Sequence, residues 1–554
     1  MREPRPQFAE ERETKIGETG HHFRHCNANF RCSNSTAPPR SLQVPPPHQA
    51  PQYVDEDCAD FLPWLRQKAG VEISSVLSIG KSIYGRSLFA CKPIQAGDCI
   101  LKVPYSVQLA PDNLLPSISS LLGEEVTDVA KLALVILVHQ KLGQASEWAP
   151  YISCLPTIAE MHSTIFWSDE ELKMIRISSL YQETLKHKVQ IEKDFSSIKH
   201  VLDRFPEFFE DVTLHNFKHA YNLVESRAWI STRGVSMIPF ADFFNHDGFS
   251  ETDVLSAEFE QVSEVTSSSL RIMSIHSRPF LAILGVVIAD ENYAPGDQVL
   301  IRYGKFSNAR LLLDFGFILP CNKYDKVCLE SNGSCRLSKT FFYQSLIIKR
   351  SIFLLPWMHH NPLVQVEVSV PHRDHLRAMK LDLLDKHTTP PLKGVNDFSS
   401  LGNGFLVMEV KSSSGKGRGI PQSLRALARV VCCTSSQVLV IYKDKIFVCS
   451  PELQDLATEA TQNDGGLARI PLKNRAREVQ AHQFLRLRFD HIIDNYNAAL
   501  ESLTHHSSLL GKHARRMQVA RGLLIGELRV LESASAWLKN YCETLIVKDN
   551  NQKT

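Results

Sequence analysis

Three groups of residues stand out as carrying side chains that could do chemistry. The first is Tyr84-Gly85-Arg86. A glycine between two bulky residues lets a ligand approach the main chain, because no Cβ stands in the way. A hairpin turn calls for the same residue. The second joins Ser226-Arg227-Ala228-Trp229 to Pro239-Phe240-Ala241-Asp242-Phe243-Phe244-Asn245-His246. An arginine there offers a planar fork of donors that matches a carboxylate, although a surface ion pair is its everyday use. An Asn-His dipeptide taken alone is an ordinary surface turn. The third is Tyr303-Gly304-Lys305-Phe306-Ser307-Asn308-Ala309, with a phenol at the end of a β-type run, a place where tyrosine is usually structural.

The order and content of the three groups together resemble the SET-domain protein methyltransferases, in particular the Rubisco large-subunit methyltransferase-like group. The likeness covers most of the chain from Cys58 onward. It implies S-adenosyl-L-methionine as cofactor and a protein side-chain nitrogen, lysine, as acceptor. By the same resemblance, Asn245 and His246 hold the adenine and amino-acid parts of the cofactor. Tyr84, Gly85 and Arg86 offer it main-chain groups, and Arg227 contacts it. Ser226 and Asp242 line the acceptor channel, at least partly through main-chain carbonyls, and Tyr303 is the catalytic residue. No metal is implied. Transfer from a sulfonium to a nitrogen is an in-line displacement, so the site must align donor and acceptor and exclude water. A lysine of pKa 10.4 is neutral only about once in a thousand at neutral pH, a cost of roughly 4 kcal/mol. Burial in an apolar channel beside a positive charge lowers that pKa.

The chain departs from the family at one site position. Many relatives have a second tyrosine where this chain has Phe315, within Asp314-Phe315-Gly316-Phe317. The loss of that hydroxyl predicts a more apolar acceptor site and the addition of more than one methyl group. It also favours lysine over histidine as acceptor, since an imidazole needs a polar partner for its second nitrogen. The competing expectation is a catalytically inactive SET scaffold that binds a protein partner.

The elements that must position these residues follow from the apolar pattern. A short helix from Phe61 to Lys68 leads to β-type runs at Val76–Ile79, Ser87–Cys91 and Cys99–Val103. Helical spacing is clearest from Asp128 to Leu142, with acids at its start and Gly143 after its end. A charged helical stretch runs from Leu180 to Phe205, and β-type segments return at Val235–Pro239 and Gln298–Tyr303. Helices at Ser423–Cys432, Glu478–Ser502 and Arg515–Leu545 follow. In the last, Met517, Ala520, Leu524, Leu528, Leu531 and Leu538 form an apolar stripe for core packing.

The expected fold class is α+β, a β-rich SET fold split by a helical insert and followed by an all-helical domain. The boundaries are a disordered tail at 1–53 and a SET domain at 57–325, with its insert at about 110–222. A helical substrate-binding domain, like that of the Rubisco methyltransferases, covers 364–546. Two stretches look inserted, 266–287 and 328–363, and a third interruption runs from about Val438 to Ser450. Within the tail, His21, His22, His25, Cys26 and Cys32 fit no zinc spacing. Ser414 to Pro421 is glycine-rich but lacks the spacing of a phosphate loop and reads as a flexible lead-in to a helix.

Bulk properties limit the partners. With 62 basic against 60 acidic residues there is no field to hold nucleic acid, so none is expected. The longest apolar runs, Phe280–Ala289 and Leu346–Trp357, are shorter than the roughly 18 residues that span a bilayer. The expectation is a soluble intracellular monomer acting on a protein substrate. Acids at Glu3, Glu10, Glu11, Glu13 and Glu18 argue against a transit peptide. Cytoplasm, nucleus and chloroplast stroma stay open.

Overall fold

A computed structural model describes residues 60–82, 85–231, 234–247, 284–289, 291–330, 370–371, 373–387, 404–412, 415–433, 438–442, 445–462, 466–468, 470–504 and 511–553. The tail with its His and Cys residues, Tyr84 and most of the two supposed insertions lie outside this set.

Period-two runs of the first third form β1 (Leu77–Ser82), β2 (Gly85–Ala90) and β3 (Cys99–Pro104), starting within two residues of their sequence-expected positions. Later strands are β4 (Ala228–Ser231), β5 (Gly234–Met237), β6 (Asn245–His246), β7 (Leu284–Ile288) and β8 (Gln298–Ile301). Four of them make one sheet in the order β1-β2-β8-β6. Its pairings are antiparallel except β6 with β8, where Asn245 lies opposite Leu300 and His246 opposite Ile301. A second, antiparallel pair joins β3 to β7. The supposed insertion at 266–287 therefore ends inside the β core. Leu284–Val287 are its strand residues, and Val287 is buried against the common core.

Between β3 and β4 the chain is helical. Asp128–Leu142 is capped by the Thr127 hydroxyl, which accepts from the Ala130 N–H, and is buried nearly all round. The charged stretch forms two helices, Ser179–Ser197 and Lys199–Arg204, hinged at Ile198. Leu214–Arg227 then delivers Arg227 directly into β4.

Beyond the site, Lys326–Glu330 forms β9, paired with β10 at Gly404–Met408. The 328–363 segment thus begins within an ordinary strand. The supposed interruption after Val438 is a β-hairpin, β11 (Val438–Tyr442) with β12 (Lys445–Cys449), so this domain is not all-helical. Two long helices, Arg475–Thr504 and Lys512–Lys553, run antiparallel. Their bonds tie Tyr541 to Glu478, Ser535 to Asp490 and Tyr496 to Glu527. The second long helix also docks on the helical insert, through Arg516 on Glu171 at 2.5 Å and Ser178 on Glu527 at 2.7 Å. The glycine-rich stretch is packed rather than free. The Trp537 indole donates to the Gly415 carbonyl at 3.1 Å, and a side chain at Gly417 would strike the Trp537 ring.

Candidate active site

The parallel pairing of β6 with β8 decides where the three sequence groups go. It brings the end of β8, and with it Tyr303, against the Asn-His turn. The Tyr303 N–H donates to His246 Nδ1 at 3.0 Å, across a separation of 57 positions. The Tyr303 hydroxyl donates to the Phe244 carbonyl at 2.7 Å, and the His246 and Tyr303 rings lie 5.1 Å apart. The turn before them is strained. Phe240 has φ 76°, a conformation that costs a side-chain-bearing residue energy, yet it is buried at 2% exposure within the core.

The first group arrives through β2. Gly85 stands opposite Ser82 with φ 98°, and nothing lies within 4 Å of where its Cβ would project. The Arg86 carbonyl accepts from the Asn245 amide at 3.3 Å, so main chain from the first group meets a side chain of the second. The Arg86 guanidinium points elsewhere. It donates to the Cys154 carbonyl at 2.5 Å and lies 5.3 Å over the Phe243 ring. Tyr84 lies outside the described residues.

Arg227 ends the helix Leu214–Arg227 and donates to the Ser226 hydroxyl at 2.6 Å. Among the described residues no carboxylate forms an ion pair with it. A partly buried guanidinium with donors to spare suits a ligand carboxylate. Ser226 Oγ is engaged within its own helix, donating to the Asn222 carbonyl at 2.7 Å, so only its main chain is left for a substrate.

Asp242 accepts from the Tyr151 hydroxyl at 2.7 Å, while its other oxygen is buried without a partner. Burial pushes its carboxyl up to about 6, opposed by the Tyr151 bond and by the charges of Arg227 and Arg86. Tyr303 is pushed up to about 12, mainly by burial. It therefore stays a neutral phenol, and its proton is committed to the Phe244 carbonyl. The lone pairs of the oxygen remain free to accept weak contacts. Burial pushes His246 down to about 4. With Nδ1 accepting from Tyr303, the neutral ring carries its proton on Nε2.

An aromatic wall closes the site. Phe315 lies 4.9 Å from the Tyr303 ring, and Phe317 lies 6.0 Å from His246 and 6.2 Å from Phe315. Gly316 between them has φ 81°, and a Cβ there would meet the main chain of His162 and Ser163. Tyr151, Ser163 and Asn222 carry no local sequence signal, because they act through bonds to distant parts of the chain. Phe317 could have been found as the second aromatic of the Asp-Phe-Gly-Phe element.

No family model matches the chain. It is 27% identical over 285 residues to the [fructose-bisphosphate aldolase]-lysine N-methyltransferase of Arabidopsis thaliana, covering 50% of this chain and 56% of that protein. It is 29% identical over 274 residues to the Rubisco large subunit N-methyltransferase of Nicotiana tabacum, covering 49% and 52%. With the N-lysine methyltransferase SETD6 of Mus musculus it shares 23% over 312 residues, covering 52% and 60%. The chain thus spans about half the length of the curated relatives it matches. Among solved structures, Rubisco LSMT bound to sinefungin and monomethyllysine aligns with a TM-score of 0.57 at 20% identity, over 88% of this chain and 93% of that one. The fold is that of the Rubisco LSMT structures, and over about half its length the chain is similar in sequence to protein-lysine N-methyltransferases.

Proposed function

We propose that the chain transfers methyl groups from S-adenosyl-L-methionine to a lysine nitrogen of a non-histone protein. The supporting observation is the meeting of Asn245-His246 with Tyr303 around one aromatic-walled site, far apart as they are in sequence. Relatives named for fructose-bisphosphate aldolase, Rubisco and ribosomal lysines point to the same class of substrate.

The Gly85-Arg86 main chain, Asn245, His246 and Arg227 would hold the cofactor, whose sulfonium supplies the methyl group. Arg227 supplies donors for a carboxylate. Tyr303 aligns the transfer through an oxygen whose own proton is held by Phe244, so it orients and does not act as base. Phe315 and Phe317 exclude water and give the amine an apolar surround, which favours its neutral form. Asp242 offers an unpartnered carboxylate oxygen toward an arriving ammonium. An imidazole acceptor is disfavoured because Phe315 gives its second nitrogen no partner. The C-terminal helical domain is assigned to substrate binding, and the chain acts as a monomer.

Radiolabel transfer from S-adenosylmethionine into lysate protein tests this reading. Wild type should label a band that Tyr303→Phe labels at least about a hundredfold more weakly. Equal background from both would leave an inactive scaffold as the function. Asn245→Ala should abolish cofactor binding in calorimetry, and retained affinity would remove the pocket assignment.

A further inference from the structure

The turn that presents Phe315 is held in part by side chains from the helical insert. Asn308–Asp314 is a helix of seven residues whose Leu311 carbonyl accepts from the Phe315 and Gly316 N–H groups, while the carbonyls after Leu311 belong to its open end. Two of them are taken by hydroxyl and amide donors from far away. The Ser163 hydroxyl donates to the Leu313 carbonyl, and the Asn222 amide donates to the Asp314 carbonyl at 3.2 Å. Asn222 is 1% exposed, as is Ser163. A buried asparagine in a helix is a poor helix former and is costly unless bonded, so its amide is tied to that carbonyl.

Asn222 also faces the other half of the site. Its main-chain carbonyl accepts from Ser226 Oγ at 2.7 Å, and Ser226 Oγ accepts from Arg227 at 2.6 Å. Position 222 thus meets the arginine's partner through its main chain and, through its side chain, the turn that sets Phe315 at 4.9 Å from Tyr303. The close approach of Gly316 to the His162 and Ser163 main chain leaves this turn little room to shift.

We infer that Asn222, assisted by Ser163, is a positioning residue that fixes the Phe315 ring against Tyr303 and thereby sets how many methyl groups the site adds. The product count rests on the methyltransferase reading above, whereas the fixing of the turn does not. A ring displaced by a few tenths of an ångström changes the room beside the amine, and misplacement on that scale alters rates several-fold.

The test uses the full chain with two single variants, Asn222→Asp and Ser163→Ala, each of which removes one donor. Should Asn222→Asp fail to fold, Ser163→Ala carries the test alone. Amide hydrogen exchange over residues 315–317 should speed up by about tenfold in either variant, with Arg475–Thr504 unchanged. With S-adenosylmethionine and the labelled acceptor protein, the ratio of dimethyl to monomethyl lysine should shift by roughly threefold, with cofactor KM held within about twofold. Unaltered exchange at 315–317 overturns the positioning role. Faster exchange with an unaltered product ratio overturns its effect on methyl number. Faster exchange in a protein whose wild type transfers no methyl sinks the methyltransferase reading and leaves the turn's anchoring intact.

Discussion

The main-chain N–H of Tyr303 donates to Nδ1 of His246 at 3.0 Å, so the residue assigned to chemistry hangs on a side chain assigned to the cofactor. A change at either end should therefore be felt at the other.

Replacing His246 with phenylalanine keeps a flat ring and leaves the Tyr303 N–H without an acceptor. An unpaired buried donor costs about 1–3 kcal/mol. Urea denaturation should show a loss of that size for His246→Phe. The gap should depend on pH in a defined sense. His246 titrates near 4 when folded and near 6.5 when unfolded, so the unfolded chain binds the extra proton between those values. Its contribution is complete above about pH 6.5 and declines as pH falls toward 4. A gap between wild type and variant that widens on acidification would contradict this assignment.

Asp242 has the opposite sign. Its folded pKa of about 6 lies above the ordinary 3.8, so the folded state holds a proton that the unfolded state has released. The associated stability is present below about pH 4 and fades as pH rises through 6. Scanning calorimetry should thus find Asp242→Asn gaining on wild type from pH 4.5 to pH 8. In kcat/KM the variant should lose an ascending limb centred near pH 6, which wild type displays.

Phe315→Tyr restores a hydroxyl beside Tyr303, at a ring separation of 4.9 Å in the present chain. Intact-mass analysis of the acceptor protein should show wild type reaching dimethyl or trimethyl lysine and the variant stopping earlier. Monomethyl product from both would end the idea that this ring governs methyl number.

Gly316→Ala places a Cβ at φ 81° against the His162 and Ser163 main chain. Strain and contact together should destabilise the fold by more than about 1 kcal/mol. A melting temperature equal to wild type would show that the turn can relax.

Legibility in the sequence followed the range of the interactions involved. The helix Asp128–Leu142 was readable because its cap, its dipole charges and its terminal glycine are local. Asn245, His246 and Tyr303 were readable as a pattern, and strand pairing brought them together. Tyr151, Ser163 and Asn222 were not, since the groups they bond lie between 91 and 150 positions away. Leu284–Ile288 was misjudged because an irregular apolar stretch precedes it and hid a five-residue strand. The hairpin after Val438 was misjudged although its signal is local: two β-type runs flank Lys443-Asp444. Reading the runs as an interruption of helix obscured that pairing.

The β6–β8 pairing has one more consequence. Main-chain bonds fasten the two halves of the candidate site directly, while β7, in the connection between them, is anchored separately on β3. Lengthening a loop is thermodynamically cheap, about 0.6 kcal/mol for each doubling. Added length in a loop of that connection can thus be accommodated without moving the phenol from its imidazole.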